Sequence, residues 1–163
     1  MIPDNLREYP AVQALDEFEP AAVLGGSLRA GQVALQIAAD RIVPVCRFLK
    51  EEQGIRRLSG VTGVDWYPDE PRFEVVYLLH SLEPELRLRL KCRLPGERPE
   101  IDSITALWPG ANWYEREVFD LFGVGFRNHP DLRRIMMPED WTGHPLRKDY
   151  PVAGFRYEYQ NEK

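Results

Sequence analysis

The stretch from Trp108 to Pro151 decides how the rest of the chain is interpreted: WPGANWYEREVFDLFGVGFRNHPDLRRIMMPEDWTGHPLRKDYP. It holds three of the four tryptophans, two of the three histidines and two similar basic turns, HPDLRR and HPLRKD. Its first part predicts a helix with Asn112 as N-cap, Glu115 as the capping-box carboxylate and Gly123 as the stop. After Gly125 the stretch has no helical or strand period, so we expect it to lie on another surface.

The predicted helix carries large apolar side chains on both of its sides, which is typical of a helix that is buried on both sides. At about 100° per residue, Phe119 points away from the face shared by four other apolar residues. Those four residues are Tyr114, Val118, Leu121 and Phe122.

The charged residues of this helix have simple structural interpretations. Arg116 and Asp120 are four residues apart, which is the spacing of an ion pair on one helix face. Glu117 lies towards the apolar side and would need a partner, such as an arginine of the following segment or of another chain.

Composition and charge exclude several classes of protein. The chain has 163 residues, enough for one domain with an appendage, and its net charge of −5 argues against nucleic-acid binding as its main activity. It has no apolar run of about 18 residues that would span a bilayer, and its first residues do not resemble a secretory signal. Cys46 and Cys92 are far apart, which predicts free, buried thiols in a reducing compartment.

The first half of the chain predicts two helices and one strand. Residues 4–18 are expected to form a short helix, and residues 21–32 are rich in turn-forming glycine. Alternating apolar residues predict a strand at 33–37. Asp40 is the expected cap of a second helix that ends at Gly54. The buried stripe of that helix is predicted to hold Ile42, Val45, Cys46 and Leu49.

Three further strands are predicted at 61–67, 72–80 and 85–94. The last one alternates strictly, so its leucines and Cys92 should face the core. Its basic residues then form a stripe that is either a solvated face or a docking surface for an acidic partner. This basic stripe consists of Arg87, Arg89, Lys91 and Arg93.

This order of elements predicts an α+β fold. Residues 1–102 should form a two-layer domain with a mixed sheet and helices on one face, and residues 103–163 the signature helix and an extended C-terminal arm. We expect residues 125–163 to pack poorly on their own chain and to become ordered against a partner. Trp141, Phe155, Tyr157 and Tyr159 lie in this arm without a period that would place them in one core.

The chain lacks the patterns of cofactor chemistry. Two isolated cysteines cannot supply the roughly four ligands of an iron–sulfur cluster. Zinc spacing, nucleotide-binding glycine motifs and a G-x-S-x-G elbow are absent from the sequence. His129 and His144 could be catalytic bases with carboxylate partners, but each precedes a proline in an extended turn, which favours a structural or interface role. The residues alone therefore favour an interaction subunit over an enzyme.

Four segments carry a resemblance to a known family: WYEREVFDLFG (113–123), HPDLRRI (129–135), MPEDW (137–141) and GHPLRKDYP (143–151). Together they resemble the signature of the complex I 30 kDa subunit family of NADH-quinone oxidoreductase, in its stand-alone form. The residues that match this signature, and that we expect at a partner interface, are Trp113, Glu115, Arg116, Glu117, Asp120, His129, Arg133, Arg134, Trp141, His144, Arg147 and Lys148.

The resemblance implies a subunit of the peripheral arm, a peripheral membrane protein on the cytoplasmic side of the bacterial inner membrane. It implies that the chain binds no cofactor or metal and is not catalytic alone, while other subunits carry FMN and Fe–S clusters between NADH and a quinone. The implied partners are other peripheral-arm subunits, chiefly the 49 kDa-type subunit. The alternative is the equivalent subunit of a membrane-bound hydrogenase or a plastoquinone-type dehydrogenase.

Overall fold

Five strands form one mixed sheet in the computed structural model of the chain, which describes residues 3–83 and 85–151. Along the sheet they follow the order β1-β2-β5-β4-β3, and only β2 and β5 are parallel neighbours. Their bounds are β1 (Val23–Arg29), β2 (Gln32–Ile37), β3 (Arg57–Asp65), β4 (Phe73–Leu82) and β5 (Glu85–Leu94). The predicted α+β class with a mixed sheet is confirmed.

Within these described residues, three α-helices and two short 3-10 helices accompany the sheet. The α-helices are α1 (Pro10–Phe18), α2 (Ile42–Glu51) and α3 (Ala111–Phe122), and the 3-10 helices are Asp4–Leu6 and Ala39–Arg41. The single helix predicted over 4–18 is interrupted before Pro10, because proline has no N–H and disfavours helical geometry in the preceding residue. Asp40 does not cap α2, since it lies inside a 3-10 helix and α2 has no side-chain cap.

The core lies between the helices and one face of the sheet. The predicted inward residues of β5 are at most 7% exposed, and the α2 stripe is fully buried, whereas Arg87 and Arg89 are exposed on the other face. Burial raises the pKa of both Cys46 and Cys92, so these thiols are inert core residues, as predicted.

Strand β1 is missing from the sequence prediction, which placed turns there. The reason is a close contact at Gly26, where a Cβ atom would come within 2.5 Å of Leu6 Cδ1. A glycine pair in the middle of a strand allows this approach but removes the alternation by which strands are identified.

Helix α3 packs on β3, on the same face of the sheet as the core. Gly63 permits the contact, because a Cβ atom there would lie 2.8 Å from the ring of Phe122. Two short parallel strands, β6 (Glu100–Asp102) and β7 (Gly125–Arg127), flank α3 in sequence and pair with each other. This pairing joins the two predicted regions directly, and the division at residue 102 stays a prediction.

Candidate functional site

The first turn of α3 differs from the predicted capping box. The N-cap residue is Gly110, and no side chain caps the helix. Backbone bonds from Ala111 N to Trp108 O (2.9 Å) and from Asn112 N to Pro109 O (3.2 Å) satisfy the first donors instead. The prediction of Asn112 as the cap was therefore wrong, because the preceding turn already supplies the acceptors.

Glu115 is not a capping carboxylate but a fully buried anchor for the segment before α3. Its carboxylate accepts hydrogen bonds from Ser103 Oγ (2.6 Å) and from Ile104 N (2.8 Å). Burial raises the pKa of Glu115 to about 7, although these two hydrogen bonds act in the opposite direction. The carboxylate thus holds the chain between β6 and α3 in place.

His129 lies beside Glu115, with 3.9 Å between His129 Nε2 and Glu115 Oε2, and both side chains are fully shielded from solvent. Its Nδ1 accepts a hydrogen bond from Asp131 N (3.0 Å), so Nε2 carries the proton and donates to Asn112 O (3.3 Å). Burial lowers the pKa of His129, which keeps the imidazole neutral at pH 7. A shielded pair of this kind has no access to a substrate, which supports the structural interpretation.

Asp120 organises the arm, and it does not form the predicted ion pair with Arg116. Its Oδ2 accepts three consecutive backbone N–H groups at 2.7–3.0 Å, and its Oδ1 accepts Arg134 Nη1 at 2.6 Å. The three amides belong to Ile135, Met136 and Met137. Burial alone would raise the pKa of Asp120, but these hydrogen bonds outweigh it and lower the pKa.

Arg116 points to the same arm segment and donates to backbone carbonyls. Its Nε donates to Arg133 O (3.1 Å) and its Nη2 to Arg134 O (3.3 Å), while its guanidinium lies 5.1 Å from the centre of the Trp113 ring. On α3, the negative Asp120 therefore accepts from the amides of one loop, residues 133–137, and the positive Arg116 donates to carbonyls of the same loop. Sequence spacing predicts contacts within a helix and misses this division of roles.

The second His-Pro turn caps the C-terminal end of α3. His144 Nδ1 donates to Asp120 O (2.8 Å), Leu146 N to Leu121 O (3.1 Å) and Arg147 Nε to Phe122 O (2.6 Å). Gly123 follows with φ of 73°, which confirms it as the residue that ends the helix. The carbonyls that a helix leaves unpaired at its end are thus satisfied by residues about 25 positions later in the chain.

The end of the described arm is fixed to the β3–β4 hairpin by Arg72, a residue that the sequence analysis missed. Arg72 Nη2 lies 2.8 Å from Asp65 Oδ2 and 2.6 Å from Asp149 Oδ1, and Lys148 N donates to Asp65 Oδ2 at 2.8 Å. Burial alone would raise the pKa of Asp65, but its hydrogen bonds outweigh this effect and lower the pKa, and the bonds from Arg72 also lower the pKa of Asp149. Arg72 and Asp149 are too far apart in sequence for any local pattern to connect them.

These contacts correct the expectation that the arm packs poorly on its own chain. The described part of the arm is bonded to α3 through residues 133–137 and 144–147 and to the β3–β4 hairpin through residues 148–149. The arm does lie on another surface, but that surface belongs to the same chain. Phe155, Tyr157 and Tyr159 lie outside the described residues.

The structure separates the signature residues into two groups. Those of the first group are buried or partly buried: Glu115, Arg116, Asp120, His129, Arg134, Trp141, His144 and Arg147. The exposed signature residues are Trp113, Glu117, Arg133 and Lys148. Glu117 was predicted on the apolar side of α3 and is instead solvent-exposed, so it does not need a partner.

Two large apolar side chains outside the predicted set accompany the exposed group. Met136 is 60% exposed and Leu146 is 51% exposed, beside 62% for Trp113. Met136 and Leu146 each donate their backbone N–H to α3, and this attachment holds both side chains towards solvent. Their exposure could not be predicted from the sequence, because this segment has no helical or strand period.

Neither a metal site nor a membrane-crossing helix is found in residues 3–83 and 85–151. No cluster of three or more His, Cys, Asp or Glu side chains could hold a metal ion there. No helix of this part combines the length and the apolar character needed to cross a bilayer.

A family profile and individual relatives of this chain agree on the same protein family. Residues 35–156 match the profile of a family described as the respiratory-chain NADH dehydrogenase, 30 Kd subunit. An NADH-quinone oxidoreductase subunit of Geobacter sulfurreducens is 49% identical over 145 residues, which cover 88% of this chain and 90% of that protein. The subunit of the same name from Roseiflexus castenholzii is 49% identical over 149 residues, or 90% of this chain and 86% of that protein.

Two solved structures share the fold. The trypsin-resistant fragment (1–134) of Nqo5 superposes with a TM-score of 0.64 at 32% identity, over 74% of this chain and 98% of that one. A chain of the membrane-bound sulfane sulfur reductase, an archaeal respiratory membrane complex, superposes with a TM-score of 0.71 at 28% identity. That match covers 86% of this chain and 84% of the archaeal chain.

Proposed function

Because the chain belongs to the family of the respiratory-chain NADH dehydrogenase 30 Kd subunit, as its signature predicts, we propose that it is a structural subunit of the peripheral arm of proton-pumping NADH-quinone oxidoreductase. Its relatives are subunits of this multi-subunit enzyme. In the proposal, the chain supports electron transfer from NADH to quinone without binding FMN, an Fe–S cluster or a metal itself. It acts as a peripheral membrane protein on the cytoplasmic side of the bacterial inner membrane.

The observation that carries this proposal is the use of the signature's acid–base groups inside the fold. Glu115 and His129 are shielded from solvent, and Asp120 and His144 are bonded to backbone atoms. Groups engaged in this way stabilise the fold and are not free to react with a substrate. The signature is therefore best explained as a framework that presents a surface.

The presented surface has the composition of a protein interface. Trp113, Met136 and Leu146 expose large apolar groups, and Arg133 and Lys148 add positive charge. Aromatic residues, methionine and arginine are enriched at such interfaces. We infer that this surface contacts the neighbouring peripheral-arm subunit, chiefly the 49 kDa-type subunit beside the quinone site.

Assembly of the complex tests this interface. The double variant Met136→Asp/Leu146→Asp places two charges on the exposed apolar groups without changing the atoms bonded to α3. We expect the variant to fold with an unchanged melting temperature but to be lost from the membrane complex, together with NADH-quinone oxidoreductase activity. Purification of the complex and measurement of how much of this chain it contains provide the readout.

Leu24→Asp is the matched control, because Leu24 is 61% exposed on β1, away from the arm. It should be incorporated normally. If the double variant assembled as well as the control, the arm surface would not be the interface. If both variants were lost, the effect would not be specific to this surface, and the assignment would fail.

The second candidate function is the equivalent subunit of a different respiratory complex. It is favoured by the TM-score of 0.71 with a chain of the sulfane sulfur reductase complex. A membrane-bound hydrogenase or a plastoquinone-type dehydrogenase would use the chain in the same structural role. Co-purification of this chain with an NADH-oxidising activity supports the first proposal, and its isolation with a different electron-donor activity supports the second.

A further inference from the structure

The outer face of the sheet carries a basic row that the proposed function does not use. Arg57 pairs with His80 across β3 and β4, and His80 pairs with Arg87 across β4 and β5. At the other edge Arg29 pairs with Gln32, which by the parallel register of β2 and β5 lies beside Arg87. This basic row (Arg29, Gln32, Arg87, His80 and Arg57) crosses all five strands, a distance of about 19 Å at the usual strand spacing.

The middle of the basic row is not neutralised by acidic residues in the described part of the chain. Glu74 pairs with Lys91 further along the face, and Glu85 lies at the β4–β5 turn. Arg89 donates to the neutral Gln32, and no carboxylate pairs with Arg57 or Arg87 among the described residues. The whole chain has 26 acidic and 21 basic residues, so the positive charge here is local.

The strand register places the three arginines of the row on alternate strands, each opposite Gln32 or His80. Strands two positions apart are separated by about 10 Å, so the positive charge is spread along the row and is not concentrated at one point. A bulge at Ser59 adds an irregularity at the same end of β3, between Leu58 and Gly60. Bulges often lie next to functional sites, where they redirect side chains.

A hollow of about 410 Å³ lies over this row. Its polar lining consists of Gln32, Arg57, Ser59, His80, Arg87 and Arg89, and the half-buried Leu78 adds an apolar contact. His80 Nε2 is shielded from solvent and has no hydrogen-bond partner within the described parts of the chain. A buried polar atom without a partner requires an explanation, and a bound acceptor would provide one.

We propose that this face is a second docking surface, which binds an extended acidic segment of another subunit. The charges are spread along a line and do not converge on a point, so one small anion or lipid headgroup would neutralise only part of them. A chain of alternating carboxylates and aliphatic residues matches both the length of the row and the contact at Leu78. The proposal rests on the proposed function, because the partner is another subunit of the same complex. The three described α-helices lie on the opposite face of the sheet and therefore do not cover the basic row.

The test uses the full chain in the assembled membrane complex. A photo-crosslinking amino acid replaces Leu78, and the captured peptide is identified by mass spectrometry. We expect a segment of another subunit in which Asp and Glu outnumber Lys and Arg. The variant Arg87→Glu/Arg89→Glu should reduce the crosslink at least tenfold, and replacement of the captured acidic residues by lysine should restore it.

The matched control is Arg7→Glu/Arg47→Glu, which changes the net charge equally at exposed positions outside the row. It should leave the crosslink unchanged. Crosslinks only to phospholipid, only to a neutral or basic segment, or to no molecule in an assembled complex would overturn the proposal. Equal loss of the crosslink in the control would overturn it too.

The outcome can be separated from that of the first interface. If Met136→Asp/Leu146→Asp prevents assembly while the complex containing Arg87→Glu/Arg89→Glu assembles with its crosslink intact, the acidic-segment proposal fails and the proposed function stands. If the chain is isolated in a complex that does not oxidise NADH and Leu78 still crosslinks to an acidic segment of another subunit, the proposed function fails and the acidic-segment proposal stands.

Discussion

The sheet core and the arm around α3 are stabilised by different interactions. In the core, alternate residues of β5 are buried in the same apolar cluster as the stripe of α2. In the arm, one carboxylate, Asp120, binds three consecutive amides, and His144 and Arg147 satisfy helix carbonyls. The first region depends on side-chain volume and the second on the charge and position of a few atoms.

This difference predicts different responses to substitution and pH. A core residue can be replaced by another apolar residue of similar volume at small cost. A buried carboxylate that serves several donors cannot be replaced by an uncharged group, because its partners would remain buried without an acceptor. Single substitutions in each region test whether the core and the arm respond in these different ways.

The largest effect is expected for Asp120→Asn. The amide has one acceptor oxygen, no charge and an NH2 group in place of the second oxygen, so it cannot accept from both Arg134 and the three loop amides. We expect the free energy of unfolding to fall by about 3–5 kcal/mol, as measured by urea denaturation. Asp131→Asn is the control, because Asp131 forms an exposed pair with Arg133 and should cost under about 1 kcal/mol. Equal costs would show that Asp120 does not hold the arm.

Leu90→Ala tests the core side of the comparison. Leu90 is fully buried in β5, so loss of apolar contact and the remaining cavity should cost about 2–5 kcal/mol. Unlike Asp120→Asn, this change should leave the amides of residues 135–137 protected from exchange under native conditions. Selective loss of their protection would mean that the two regions are not independent.

Glu115 makes a contribution to stability that changes with pH in the acidic to neutral range. Its folded-state pKa of about 7 lies above the unfolded value of about 4.3, so the folded chain binds more protons between these values. The contribution of Glu115 to the free energy of unfolding should therefore be greatest below about pH 4.3. It should fall as the pH rises to about 7, by at most about 1.4 kcal/mol per pH unit. The difference between wild type and Glu115→Gln isolates this dependence from that of His129, whose lowered pKa acts in the opposite direction. A difference that does not change with pH would contradict the assignment.

The smallest effect is expected for Arg89→Ala on the outer face. Arg89 is exposed, so the free energy of unfolding of the isolated chain should change by less than about 0.5 kcal/mol. Thermal denaturation beside Leu90→Ala provides the measurement. A cost similar to that of the leucine change would mean that this face is part of the core.

The core could be predicted from sequence because apolar burial leaves a period. The alternation of β5 and the stripe of α2 each follow from the geometry of one element. Strand β1 was missed because Gly25 and Gly26 carry no side chain that could show a pattern. Helix caps were predicted from local residue type and were wrong at Asn112 and Asp40, where backbone turns occupy the positions.

The arm could not be predicted in the same way, because its partners are distant in sequence. Nothing local shows that Asp120 serves residues 135–137, or that Arg72 and Asp149 meet. The His-Pro turns indicated a structural role for both histidines. Which surface they contact depends on the tertiary fold.

The most direct test of the account is amide hydrogen exchange at Ile135, Met136 and Met137 in the isolated chain. If Asp120 holds this loop, all three amides should be protected in the wild type at pH 7 and exchange about 100-fold faster or more in Asp120→Asn, while the amides of β4 and β5 stay protected. Exchange of these amides at the rate of an unfolded chain in the wild type would contradict the account, because the arm would then need a partner to become ordered.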